Sequence, residues 1–476
     1  MSKPSIAIIF VVVLLDIIAF SILLPVLSYY AATFGATPFQ IGLVASLYAF
    51  CQLVAAPVLA RLSDSVGRKP MMIIDVVGSI LGLLLLGFAS SLWMVFASRV
   101  IAGLVAANIP IAQAYISDIT DHRARSRGLG VLGAAFGLGF TIGPMIGGII
   151  SRSGSAESYA QAALVSSGCA MVNLFIIVFA LRESLPAEQR WKYRRIHKTQ
   201  VQEDVSNQNT WNNDALSGAS ARPAARMPLV SVVGMIDIAA WQRLFRQRSV
   251  LAMLVFWVLF SLAFAMFQQN IALFNQFHLR LSARQTSAIF AFIGLSVAIS
   301  QGVLLRWLTH RLTDIQLLVW STPIFAASLL LWAWTLNLIM LYVALVGLCV
   351  SGSILIAVTN SLLTKSVQPS ETGGIMGIAG MVDNSTRVLG AVVGGALIQS
   401  VGTFAPGVTA ATIAILLVFF ALFVIQRLSL SGTAPVGKQS SSGDSRAASD
   451  SRLYYCTNEV QGVHSTVHTP PHNPAS

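Results

Sequence analysis

Apolar residues along this chain come in long uninterrupted blocks, and the polar residues gather in the stretches between them. Twelve blocks stand out, at about 5–28, 39–60, 70–89, 92–116, 128–151, 159–181, 249–273, 286–305, 315–335, 337–364, 373–399 and 405–427. Each is long enough to cross ~30 Å of hydrocarbon as a helix rising ~1.5 Å per residue. Membrane β-strands need only ~10 residues and alternate apolar with polar positions. These blocks are about twice that length and apolar all round, so each predicts a helix. The expected fold class is all-α: a polytopic membrane protein of twelve transmembrane helices.

The longest interruption divides the blocks six and six. This predicts an N-terminal bundle over 1–181, a linker over 182–248, a second bundle over 249–427 and a tail over 428–476. The linker opens on a basic run, Arg190 to Lys198, and its Asn-, Ser- and Ala-rich middle reads as disordered. Its end, Leu229 to Arg248, mixes apolar and basic residues; this reads either as an amphipathic helix on the inner leaflet or as a plain linker. The tail is rich in Ser, Gly and Pro and reads as disordered.

The two bundles echo each other. Val58-Leu59 in the second block matches Val303-Leu304 in the eighth, and Gly143, Gly147 and Gly148 match Gly390, Gly394 and Gly395. The offsets, 245 and 247, point to duplication. Two six-helix pseudo-repeats suggest a central site opened alternately to each side by rocking.

Composition supports lipid as the main solvent: 55% of residues are hydrophobic and 10% charged, against ~25% charged in soluble proteins. The net charge of +12 sits in the loops and so does not suggest a nucleic-acid partner. With the N-terminus inside, 25 of the 30 Lys and Arg fall on the cytoplasmic side and three (Arg152, Arg280, Arg284) on the outer side. By the positive-inside rule both termini are cytoplasmic; which membrane is meant is left open. The four cysteines are far apart, in neither metal-site nor disulfide-scaffold spacing. The first block is of spanning length and leads into further spans, so no cleaved leader is expected.

Several loops and spans carry chemistry. After the second block the chain reads Ala60-Arg-Leu-Ser-Asp64-Ser-Val-Gly67-Arg68-Lys69-Pro70. Asp64 and Arg68 are spaced to meet across a turn at which Gly67 allows positive φ. The fourth block carries Arg99-x-x-x-Gly103 and ends in Tyr115-Ile-Ser-Asp118. The fifth carries Gly139-Phe-Thr-Ile-Gly143-Pro144-Met-Ile-Gly147-Gly148. Its glycines permit close helix contact, and Pro144 removes a backbone hydrogen bond and bends the span.

On these motifs the chain resembles the major facilitator superfamily. Asp64, Gly67, Arg68 and Lys69 match the loop 2–3 signature, with Ala60 and Ser65 as departures, and the fifth block matches the glycine–proline signature associated with antiporters. Leu15-Asp16, Leu24-Pro25-Val26-Leu27, Ala56-Pro57-Val58-Leu59 and Ala114 to Asp121 are similar to tetracycline-efflux-type drug:proton antiporters, and that closer likeness lies in the first half. The resemblance implies a gating charge cluster of Asp64, Arg68 and Asp118. Such pumps also carry an acidic residue deep in the third span, where this chain has Gly82, with Asp75 about two turns away.

Asp16, Arg99, Asp383 and Arg387 fall well inside blocks, and Asp75 nearer a block end. Each costs about 2.5–3.5 kcal/mol at a helix centre, so each should face the bundle interior or water. Asp16, near the midplane, is the first candidate for the proton carrier. Arg99 either anchors an anionic substrate or pairs with Asp16. Asp383 and Arg387 are four apart on one helical face and either neutralise each other or charge the cavity wall, with Asp383 a second coupling candidate. Asn108, Gln113 and the run Gln268, Gln269, Asn270 are candidate cavity residues, or else interhelical glue.

The pattern as a whole predicts a secondary transporter, exchanging protons for a small organic molecule. A facilitator or symporter of a metabolite is the alternative, and a transport-inactive receptor or scaffold is an alternative of another class. No Walker loop, HExxH or strand–helix GxSxG motif is present in the sequence, so an enzyme, a cofactor and a bound metal are not expected. The expected partners are the substrate, protons and the bilayer, with the protein acting as a monomer.

Overall fold

In the computed structural model, residues 3–120, 122–185, 248–367 and 372–422 are described. The expectations for most of the linker and for the tail beyond 428 lie outside them. The first half runs α1 (Lys3–Leu23), α2 (Leu27–Thr33), α3 (Pro38–Val66), α4 (Arg68–Gly87), α5 (Leu92–Val105), α6 (Asn108–Ile119), α7 (His122–Ile150) and α8 (Ala156–Phe179). The second runs α9 (Arg248–Phe277), α10 (Ala283–Ile299), a π-helical turn Ser300–Leu304, α11 (Leu305–Thr309), α12 (Asp314–Ala333), α13 (Leu338–Lys365), α14 (Thr372–Ser400) and α15 (Ala405–Phe420).

Ten helical stretches among the described residues are long and apolar enough to cross a membrane. They correspond to the first ten blocks, with α5 and α6 together forming the fourth. The eleventh, α14, has 29 residues but carries the polar run Asp383 to Arg387. The twelfth, α15, is described over 16 apolar residues.

Local chemistry sets the helix starts. Thr37 caps α3 and Ser282 caps α10, each in a reciprocal box with the glutamine three residues on, Gln40 and Gln285. Both caps stand at the 245-residue offset that links the second and eighth blocks. Packing repeats as well: α1 lies on α7 and α8 as α9 lies on α14 and α15, and α4 lies on α8 as α12 lies on α15. Even the glue is repeated. Ser21 Oγ on α1 donates to Gly139 O of α7 at 2.9 Å, and Asn270 Nδ2 on α9 donates to Gly390 O of α14 at 2.8 Å.

The halves meet through α3 against α14 and α7 against α10. At one end these contacts are backbone-close. A Cβ on Gly42 would overlap the Ala391 carbonyl, one on Gly395 would come within 2.7 Å of Pro38 O, and one on Gly148 within 2.7 Å of Ser287 Cβ. Phe39 N donates to Gln399 Oε1 at 3.2 Å, and Tyr29 Oη donates to Leu281 O at 2.8 Å and meets Thr286 Oγ1 at 2.7 Å. Burial pushes the Tyr29 phenol up, so it stays protonated and able to donate.

Toward the other end the same helix faces separate. On α7, Gly137 still touches Ala298, but Gly133 and Gly130, one and two turns earlier on that face, meet open space. On α14, Gly380, Gly377 and Gly373 precede Ala391 on its face and likewise meet open space. The halves thus diverge from a closed end, marked by Thr37 and Gln399, to an open end, marked by Asp64 and Thr372, and enclose a crevice.

Gly42→Val should disrupt the closed end, because overpacking a tight contact costs about 1–3 kcal/mol. Spin labels at 39 and 399 should report a longer, broader distance in that variant than in the wild type.

Candidate translocation site

The floor of the crevice is built by the first half. Asp16, on the fourth turn of α1, is partly exposed and lies beside Asn108, the first residue of α6. Asp75 of α4 is 3% exposed and close to both, its Oδ1 accepting the Ala107 N–H at 2.7 Å. Tyr48 on α3 stacks near Phe20 with ring centroids 5.6 Å apart. It lies within electrostatic reach of Asp75, Asp16 and Arg99, and of Arg387 from the second half. Tyr48 thus lies near charged groups of both halves.

Arg99 is 5% exposed. Its Nε donates to Ser98 Oγ at 3.3 Å and its Nη2 has no hydrogen-bond partner. It forms no ion pair with Asp16, so of the two sequence expectations the pairing is not met. Both amide atoms of Asn108 also lack a partner at hydrogen-bonding distance. Such groups are rare in protein interiors and call for water or a ligand.

The second half contributes Asp383 and Arg387, joined at 3.1 Å and both partly exposed. This matches the reading of mutual neutralisation on one helical face. Gln268 is exposed, Gln269 partly buried and Asn270 fully buried, bonded to Met266 O and Gly390 O. Asn270 thus joins α9 to α14 instead of facing the crevice. Gln113 is exposed on α6. Gly139, Gly143 and Gly147 pack against Ile17, Ser21 and Ile22 of α1, Gly148 against α10, and α7 runs helically through Pro144.

A separate cluster sits at the open end. Arg68, 7% exposed, bonds Asp64 at 2.7 Å and Asp118 at 3.1 Å. Gly67 has φ 122°, the conformation the sequence required of it. Lys69 Nζ donates to Val178 O at 2.7 Å. The Glu183 carboxylate accepts the backbone N–H of Arg68 and of Lys69, capping α4, while Ser184 Oγ donates to Asp118 Oδ2. Each of these bonds joins residues of the first half. The second half repeats the arrangement with the signs reversed: Lys365, at the end of α13, bonds Asp314, at the start of α12, at 2.6 Å. These positions correspond to Asp118 and Arg68 at offsets of 247 and 246.

Three participants escaped the sequence reading. Asp75 was assigned to the end of its block, but the fourth span breaks beside it and brings it into the site. Tyr48 looks like an ordinary apolar-face aromatic. Glu183 follows the sixth block, and an acid there, opposite a basic loop, was the signal available for it.

A sequence profile of the Major Facilitator Superfamily matches residues 9–352. The chain belongs to the major facilitator superfamily. It is 35% identical over 191 residues to the class H tetracycline resistance protein of Pasteurella multocida, covering 39% of this chain and 48% of that protein. Relative to the class B protein of Escherichia coli it is 34% identical over 177 residues, 37% of this chain and 43% of the relative. The chain thus spans about half the length of these curated relatives. Solute carrier family 22 member 18 of Mus musculus is 26% identical over 382 residues, 79% of this chain and 85% of that one. In fold, the chain matches the crystal structure of the human organic anion transporter MFSD10 (TETRAN) with a TM-score of 0.62 at 22% identity, covering 88% and 99% of the two chains. This major facilitator protein is a multi-pass membrane protein of the transporter class.

The two ion clusters should differ in weight. Arg68→Ala leaves Asp118 and Asp64 without their shared cation and should cost about 1.5–3 kcal/mol, since bonds to charged groups are of that size. Lys365, with 59% of its side chain exposed, should cost under ~1 kcal/mol when replaced by alanine. Melting temperatures of the detergent-solubilised variants check the ranking.

Proposed function

We propose that this protein is a proton-coupled antiporter that moves a small, amphipathic or cationic organic molecule by alternating access. One observation carries the reading. The Asp16 carboxyl lies midway along a membrane span, partly exposed in a crevice that is sealed at one end and open at the other. A carboxyl so placed exchanges its proton with one aqueous phase at a time. When the halves rock, it faces the opposite phase, and a cationic or hydrogen-bonding substrate competes with the proton for the same group.

The crevice suits such a substrate. Phe20 and Tyr48 offer aromatic faces, while Arg99 Nη2 and the Asn108 amide offer unpaired polar atoms. The similarity of part of the chain to tetracycline resistance proteins supports an amphipathic organic substrate. Asp383, held by Arg387, is a secondary coupling candidate. The charge distribution supports cytoplasmic termini, which makes the open end cytoplasmic and this conformer inward-open. The cluster of Asp64, Gly67, Arg68, Lys69 and Asp118 then acts as the cytoplasmic gate: it holds the α3–α4 turn as a fixed surface on which the second half closes.

Reconstitution in proteoliposomes with an imposed pH gradient tests this, with tetracycline as the probe compound. Gradient-driven uptake should exceed the gradient-free rate several-fold, by about 1 kcal/mol of driving bias or more. Asp16→Asn should lose the gradient-driven part and keep exchange between labelled and unlabelled probe. Uptake that ignores the gradient in both proteins refutes the coupling, and counterflow that persists without it assigns a facilitator instead.

A further inference from the structure

A straight helix cannot run through the middle of the fourth span. Pro110 has no amide N–H, and its ring would meet the carbonyl of Ala106, four residues back. The backbone leaves helical geometry there: Ala106 has φ −69° and ψ 84°, Ala107 has φ −135° and ψ 10°, and α6 restarts at Asn108. A new helix start within a bilayer exposes backbone donors where no water is available to take them. The residue at the capping position is Ala107, whose side chain has no acceptor.

Asp75, from the neighbouring α4, fills that role. Its Oδ1 accepts the Ala107 N–H at 2.7 Å, and the Asn108 N–H is directed at the same carboxylate. An anion at a helix start is also favoured by the helix dipole. Gly82, one possible seat for an acid on α4, cannot hold one here: a Cβ there would lie 2.9 Å from Ser98 O. The residue fixed by this cap is Asn108, and its side chain lies beside Asp16.

We propose that Asp75 is a positioning residue for Asp16: by capping α6 from the adjacent span it holds Asn108 against the Asp16 carboxyl and links the span-4 break to the state of that group. The inference rests on the proton-coupled reading of Asp16. The charged and titratable groups that face this assembly are Asp16 from α1, Tyr48 from α3 and, through Tyr48, Arg99 from α5 and Arg387 from α14. The neighbouring α8 packs on α4 through Leu164, against Gly87.

The full-length protein in lipid nanodiscs provides the test. Hydrogen exchange over 105–111 reports the cap, and the distance between spin labels at 58 and 377 reports the crevice as a function of pH. Asp75→Ala should raise exchange of the Ala107 and Asn108 amides by about tenfold, while Asp75→Asn, which keeps an acceptor, should raise it by less than about threefold. Asn108→Ala should move the pH midpoint of the distance change by about one unit, Asp75→Ala should move it as well, and Asp75→Glu should restore much of the wild-type midpoint. Asp16→Asn should abolish the pH response. Unchanged exchange in Asp75→Ala, or a tenfold rise in Asp75→Asn, overturns the cap. Unmoved midpoints in both alanine variants, with Asp16→Asn still silent, overturn the link and leave the proton reading standing. A wild type whose distance ignores pH overturns the proton reading and the link together, and exchange still decides the cap. Should Asp75→Ala not fold, Asn108→Ala and Asp75→Asn carry the two measurements.

Discussion

An ionisable side chain at the centre of a bilayer span costs about 2.5–3.5 kcal/mol, and it persists only where protein or water replaces the hydration it has lost. Asp75, Asp383 and Arg387 meet that requirement with protein partners, while Asp16 and Arg99 meet it less completely. Asp383 and Arg387 bond each other. Asp75 takes backbone donors from a broken helix. Asp16 turns toward the crevice beside Asn108. Arg99 keeps one terminal nitrogen unpartnered. The tight contact between the halves closes the crevice at one end.

That seal is made with glycine. Backbone contact at Gly42, Gly294 and Gly395, and contact of Gly148 with the Ser287 side chain, bring α3 to α14 and α7 to α10 closer than a larger residue allows. Within each half, longer-lived bonds hold the bundle together: Ser21 to Gly139, Asn270 to Gly390, and Tyr115 Oη to Arg182 O.

The broad architecture was legible in the sequence because bilayer thickness imposes a length on every span. Glycine spacing exposed the repeat, and the loop around Asp64 and Arg68 announced its own turn through Gly67. The site was legible only in part. Asp16 and the Asp383–Arg387 pair could be found because a charge in an apolar block is conspicuous. Asp75 was visible as a charge in a span, but its bond to Ala107 N was not, because the break in the fourth span is not written in the third. For Asn270 the sequence left cavity lining and interhelical glue open, and the helix turn puts it against α14 as glue.

The reversed pair Asp314–Lys365 has a consequence for how such a chain changes over time. Aligned against Arg68–Asp118, both positions exchange acid for base, yet the bond and its place between two neighbouring spans survive. Reversing either partner alone would set two like charges side by side, so the route from one arrangement to the other must pass through a repulsive or neutral intermediate. The lineage of this half therefore preserves a record of paired substitution, and letter-by-letter matching of the two halves will score their most faithful structural correspondence as their worst disagreement.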